Sequence, residues 1–200
     1  MLISFTGSQS SGKTTLLNAL RKHLYEDGDL PDWTVIDEVT RKIARQGMPI
    51  NNEAPDYNQT QLMIINDHLA NINNYIKEGK TKTALDRCLL DGLVYTEYFY
   101  RNKKVSKHVR DYAQRAFETS FKNYDHVFYI EPVDTSLVDD GVRSTDSKFR
   151  ADIVIIFEEV IKYYSDKSGR NIVIRLSGTV QKRLETLLSV IYNTNYGIKY

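Results

Sequence analysis

Apolar residues along this chain fall into two kinds of run that alternate. Short continuous runs rich in β-formers lie at Met1 to Thr6, Trp33 to Asp37, Thr83 to Leu90, His126 to Glu131 and Asn171 to Leu176. Such runs mark strands covered on both faces, as in a parallel sheet. Between them apolar positions recur at spacings of three and four, which predicts amphipathic helices. The helices are expected over Thr15 to Leu24, Arg41 to Gln46, Asp56 to Lys77, Asp91 to Arg101, Val105 to Phe121, Phe149 to Tyr164 and Thr179 to Tyr192. In the third, Leu62, Ile65, Leu69 and Ile72 share one face; in the last, Val180, Leu184, Leu187, Leu188 and Ile191 form the stripe. Strand and helix in alternation imply an α/β fold with right-handed crossovers. Gly47 to Pro55 and the polar, charged Asp134 to Asp146 read as irregular loops.

Composition narrows the class. Two hundred residues at 41% apolar content suffice for one core, so a single domain over residues 1–200 is expected. Net charge is +1, with acids and bases interspersed, which excludes a polyanion-coating protein but not a local basic groove. One cysteine, Cys88, rules out an internal disulfide framework, and with few histidines a structural zinc site is not expected. The sequence has no stretch of about 18 apolar residues to span a membrane and no signal peptide ahead of the first strand, so a reducing, cytoplasmic compartment is expected.

The chemistry is concentrated at the first strand-to-helix turn. Gly7-Ser8-Gln9-Ser10-Ser11-Gly12-Lys13-Thr14 matches every fixed position of G-x-x-x-x-G-K-[ST], with the required strand before it and helix after it. Gly7 and Gly12 permit backbone angles that turn successive N–H groups inward on an anion, beside the positive end of the helix. Lys13 is a point charge for β- and γ-phosphates, Thr14 a hydroxyl ligand for magnesium, and Thr15 faces the α-phosphate. The expected ligands are therefore a nucleoside triphosphate and Mg2+, and the resemblance described next implies that the nucleotide is ATP.

Three further segments stand after the later strands: Ile36-Asp37-Glu38-Val39-Thr40-Arg41, Leu85-Asp86-Arg87-Cys88-Leu89-Leu90-Asp91 and Asp140-Gly141-Val142-Arg143-Ser144-Thr145-Asp146. With the phosphate loop, in this order and spacing, they make the chain resemble the nucleoside and nucleotide kinases of the P-loop superfamily. The resemblance is strongest to small bacterial and phage kinases related to the ribosylnicotinamide kinase domain. It implies a five-stranded parallel sheet in the order 2-3-1-4-5 with a lid loop over about residues 134–150. It also implies ATP-dependent transfer to a small nucleoside, nucleotide or close analogue by a monomer or homodimer.

Asp37 and Glu38 end a strand where ligands of open α/β sheets collect, and Glu38 is the preferred base or orienter of an attacking hydroxyl. The competing reading makes them a helix cap and a first-turn acid. Arg41 shares a helical face with Glu38 and resembles an acceptor-gripping arginine, although a surface Glu–Arg pair has the same spacing. Asp86 resembles the acid that holds magnesium through water, and Arg87 the arginine of the Asp/Glu-Arg motif at the acceptor end. Asp91 reads as a helix cap. In the lid, Arg143 and Arg150 resemble arginines that fold over the triphosphate, flanked by Lys148; which of the two points inward stays open. Ser177-Gly178-Thr179 is either a loop against the adenine or a helix cap. Tyr95, beside Tyr98, Phe99 and Tyr100, either stacks on an acceptor base or packs in the core.

Two other functions were weighed. A kinase acting on a nucleotide inside DNA or RNA is disfavoured by the near-neutral charge. A nucleotide-dependent switch or ATPase regulator has no use for acceptor-side arginines, and Asn102-Lys103-Lys104-Val105 lacks the final acid of a guanine-reading motif.

Overall fold

The computed structural model describes residues 1–26, 28, 32–79, 82–132, 147–169 and 171–195. The strands are β1 (Leu2–Thr6), β2 (Trp33–Ile36), β3 (Lys82–Asp86), β4 (His126–Ile130) and β5 (Val173–Leu176). They form one sheet in the order β2-β3-β1-β4-β5, with every pairing parallel. The helices are α1 (Lys13–Glu26), α2 (Val39–Arg45), α3 (Asn58–Glu78), α4 (Leu89–Arg101), α5 (Lys107–Ser120), α6 (Ser147–Ser168) and α7 (Val180–Asn195). Among the described residues, none of them is long and apolar enough to cross a membrane.

The period-two alternation of β1, β3 and β4 distributes side chains to two cores. Leu2, Leu85, Val127 and Tyr129 join α3 to α6 on one face, while Ile3, Phe5, Ala84, Phe128 and Ile130 pack with α1 and α7 on the other. A smaller cluster of Val39, Ile43 and Ile64 fastens α2 to α3. Phe5 pairs in register with both Asp86 and Phe128, so the carboxyl ends of β1, β3 and β4 finish level. That shared edge is where the site forms.

Element ends differ from the sequence expectation by a few residues, and the difference that bears on the site is at the third strand. The third strand stops at Asp86 rather than Leu90, and Leu89 and Leu90 open α4. Arg87 takes φ +76°, a left-handed angle that ends the strand. The Cys88 N–H then donates to Asp91 Oδ2 at 3.0 Å, satisfying a donor that the first turn leaves without a partner. Asp91 thus stands three positions after the cap residue Cys88. The run Cys88-Leu89-Leu90 is apolar because this helix start is buried.

Candidate functional site

The phosphate loop runs from the end of β1 into α1. Gly7 and Gly12 hold φ +140° and +94°, and Ser10 between them holds +55°. A Cβ on Gly7 would lie 2.7 Å from the Ile130 carbonyl oxygen, so only glycine fits where the loop crosses the end of β4. Lys13 is buried and turned back on its own loop. Its Nζ donates to the Gly7 and Ser8 carbonyls at 2.8 and 2.5 Å, with Ser11 Oγ at 3.3 Å. Thr14 and Thr15 lie exposed in the first turn of α1.

Thr14 Oγ1 donates to Asp86 Oδ2 at 3.3 Å, bridging the first turn of α1 to the end of β3. The second oxygen, Oδ1, is buried with no hydrogen-bond partner among the described residues. Burial, followed by the charge of Glu38, raises the Asp86 carboxyl above its ordinary value, against the opposing pull of Arg87 and Lys13. An orphaned carboxylate oxygen beside a hydroxyl, both hard donors, fits a magnesium ion whose remaining ligands are water and phosphate.

Arg87 sits at the centre of a buried ionic group. Its Nε donates to Glu38 Oε1 at 2.5 Å, Nη1 donates to Asp91 Oδ1 at 2.9 Å, and Nη1 lies 3.5 Å from the Gly7 carbonyl oxygen. Burial opposes the charge of Arg87, but Glu38, then Tyr95, Asp91 and Asp86, outweigh it and hold the guanidinium well above its ordinary range. Glu38 also accepts from Thr40 Oγ1 at 2.6 Å, and its Oε2 is 3.4 Å from Arg41 Nε. Glu38 is the residue before α2, yet its side chain makes no cap hydrogen bond there. Its carboxylate serves Arg87 and Arg41 instead.

These residues border an apolar cavity between α3, α4 and the start of α6. Gln9, Glu38, Ile64, His68, Arg87, Asp91, Tyr95 and Phe149 contribute to its wall. Tyr95 donates its hydroxyl to Gln9 Oε1 at 3.0 Å, lies under the Arg87 guanidinium with Cζ 5.5 Å from the ring centre, and meets Phe149 edge-on at 6.1 Å. Gln9 therefore belongs to the cavity wall.

The other sequence candidates separate from this group. Asp37 points outward, its side chain 80% exposed and paired with Arg21 at 2.6 Å. Ser177, Gly178 and Thr179 are exposed, and Thr179 Oγ1 accepts from the Lys182 N–H at 3.3 Å, which caps α7. Arg150 belongs to the first turn of α6 rather than to a loop and is half-buried, next to Phe149 of the cavity wall. Arg143 and the rest of the expected lid up to Asp146 lie outside the described residues.

Three contributors were not anticipated. Arg183 on α7 is buried, donating to the Ser11 carbonyl at 2.8 Å and the Glu131 carbonyl at 3.0 Å, and burial lowers its pKa. It ties α7 to the phosphate loop across the end of β4. On α3, Gln61 and His68 face the cavity from positions that a hydropathy stripe passes over. The i, i+4 spacing of Arg87 and Asp91 is a further signal: the sequence reads Arg87 as an acceptor-side arginine and Asp91 as a cap, and the structure pairs them.

The family model described as an AAA domain matches residues 2–183. No curated protein matches the sequence. Among solved structures, NadR protein in complex with NR is similar at 16% identity and TM-score 0.70, over 100% of this chain and 53% of that one. This chain thus spans about half the length of NadR. Thymidylate kinase from Ehrlichia chaffeensis is similar at 18% identity and TM-score 0.65, over 96% and 98%. Deoxyadenosine kinase from M. mycoides, with products dCMP and dCDP bound, is similar at 14% identity and TM-score 0.62, over 96% and 100%. At these identities the likeness is one of fold, that of the P-loop kinases.

Proposed function

The chain belongs to the AAA domain family, and from that premise we propose that it is an ATP-dependent phosphotransferase acting on a nucleoside, nucleotide or close analogue. The observation that carries this reading is the buried Glu38–Arg87–Asp91 group, which connects the phosphate loop at Gly7 to an apolar cavity. A switch that only binds and hydrolyses nucleotide has no use for such a second compartment.

The parts divide the work of an in-line transfer. Lys13 exchanges its loop carbonyls for the β- and γ-phosphate oxygens, and the loop N–H groups hold the rest of the triphosphate. Thr14 and Asp86 would hold magnesium, which would supply positive charge to neutralise the phosphates. On the acceptor side, Glu38 accepts a hydrogen bond from the attacking hydroxyl and orients it. The hydroxyl oxygen bonds to the γ-phosphorus, the bond to the β,γ-bridging oxygen breaks, and ADP leaves. The hydroxyl proton passes to Glu38. Because the transition state is loose, orientation contributes more than early deprotonation, and a carboxylate pinned by Arg87 and Arg41 suits that task. Arg143 and Arg150 are assigned to the developing phosphoryl charge, and Ser177 to Thr179 to the adenine edge.

A panel of nucleosides, deoxynucleoside monophosphates and ribosylnicotinamide, each incubated with MgATP while ADP release is followed, tests the proposal. At least one acceptor is expected to raise ADP formation about tenfold or more over the blank. ADP formation that no acceptor alters would overturn it.

A further inference from the structure

His68 is 1% exposed, lies on the cavity wall, and has no hydrogen-bond partner for either ring nitrogen among the described residues. A buried imidazole in a packed core normally donates from one nitrogen and accepts at the other. Here the residue borders a cavity instead. Gln9 repeats the pattern: Tyr95 engages its Oε1, while Nε2 is buried without a partner. Gln61 accepts from Thr96 at 3.0 Å through Oε1 and lines the same space. The cavity wall thus carries two orphaned polar side chains and the adjoining rings of Tyr95 and Phe149, while its charged end is already internally paired.

We propose that His68 is a specificity-determining residue that, with Gln9, hydrogen-bonds the edge of an uncharged, flat heteroaromatic ring carrying a donor beside an acceptor, the ring of a nucleoside acceptor. The proposal rests on the kinase reading above and narrows its substrate. Burial, the leading cause, lowers the His68 pKa to about 4, so near neutrality the ring offers one N–H and one lone pair. A phosphate at that end would require an imidazolium, and the nearest guanidinium, Arg87, is already shared by two carboxylates. A neutral ring edge matches the one donor and one acceptor of imidazole plus the amide donor of Gln9. On the α4 side Gly92 lets α3 pack close beside the cavity: a Cβ there would already meet Ile65 at 3.5 Å and His68 at 3.9 Å.

The test compares His68→Phe and His68→Gln with the wild-type chain on the preferred acceptor and on ring analogues lacking one donor or acceptor. Phe removes both hydrogen bonds at similar bulk, while Gln keeps a donor and an acceptor. For His68→Phe the acceptor KM is expected to rise about tenfold or more, with kcat within about threefold and the KM for ATP unchanged; the preference for the intact ring should collapse. His68→Gln should recover most of it. An unchanged ATP KM also reports that the variant has folded. In the wild-type protein, acceptor binding should shift the ring 15N resonances of His68, a readout that needs no variant. Acceptor-dependent transfer with unaltered KM and ring preference in His68→Phe, or unmoved ring resonances, would sink the inference and leave the kinase reading standing. Absence of transfer to every acceptor would remove both.

Discussion

Lys13 is held by its own loop before any phosphate arrives: all the hydrogen bonds of its ammonium described above go to Gly7, Ser8 and Ser11. Lys13→Ala should reduce transfer on the order of a hundredfold or more, measured as ADP release with acceptor present. The neighbouring Asp86 carries the other legible role. Asp86→Asn should shift the magnesium titration of activity to higher concentration while leaving metal-free nucleotide affinity near its wild-type value, by calorimetry. The phosphate-loop residues could be read from the sequence because their chemistry follows from spacing along a few consecutive positions. Glu38 and Arg87 were readable as strand-end charges, but their 2.5 Å contact joins residues 49 positions apart, and such a pairing has no local signature. His68 was missed for a related reason: a histidine among apolar helix positions looks like core, and only its unpartnered nitrogens set it apart.

At the scale of elements, hydrophobic patterning located the five strands and seven α-helices among the described residues, but not the short 3-10 turn Phe121–Asn123, and it erred where burial, not conformation, made the sequence apolar. Leu89 and Leu90 look like strand residues and are helix residues. On α3 the expected stripe is half right: Ile65 and Ile72 are buried, Leu62 and Leu69 only partly, and the fully buried face includes Thr60, Gln61 and His68. A face that borders a cavity tolerates polar residues, which blurs the pattern. The start of α4 yields a sharper expectation. Asp91 both accepts from the Cys88 N–H and neutralises Arg87, so Asp91→Ala removes a helix cap and breaks a buried ion pair. About 3 kcal/mol or more of stability should be lost in urea unfolding. Asp91→Asn, which keeps the cap acceptor, should lose less.

Across the whole molecule, the pH dependence of stability should carry the mark of His68. Its folded pKa of about 4 lies below the unfolded value near 6.5, so the unfolded chain binds the proton first. The stability that neutral His68 allows is fully present above about pH 6.5 and is lost as pH falls toward 4, by roughly 3 kcal/mol in total. Asp91, Arg87, Asp67 and Glu38 face it, with the acids opposing the depression and Arg87 reinforcing it. Asp86 acts in the other direction, because a carboxyl raised above its ordinary value favours the folded chain at low pH and costs stability as pH rises through its folded value. Chemical denaturation of the wild-type chain and His68→Gln between pH 4 and 7 separates the two: the variant should show the shallower loss on acidification. Equal slopes would mean that His68 is protonated in the folded chain.

Asp86 and Arg87 are consecutive residues, yet one touches Thr14 on the nucleotide side and the other touches Glu38 on the cavity side. On the kinase reading proposed above, a single peptide unit at the end of β3, fixed by the Arg87 N–H to the Phe5 carbonyl at 2.9 Å, would act as a ruler between donor and acceptor. The separation of the two side chains' starting points is thereby inscribed in backbone geometry. The left-handed angle at Arg87, a conformation costing about 1 kcal/mol or more for a residue with a side chain, is the graduation mark.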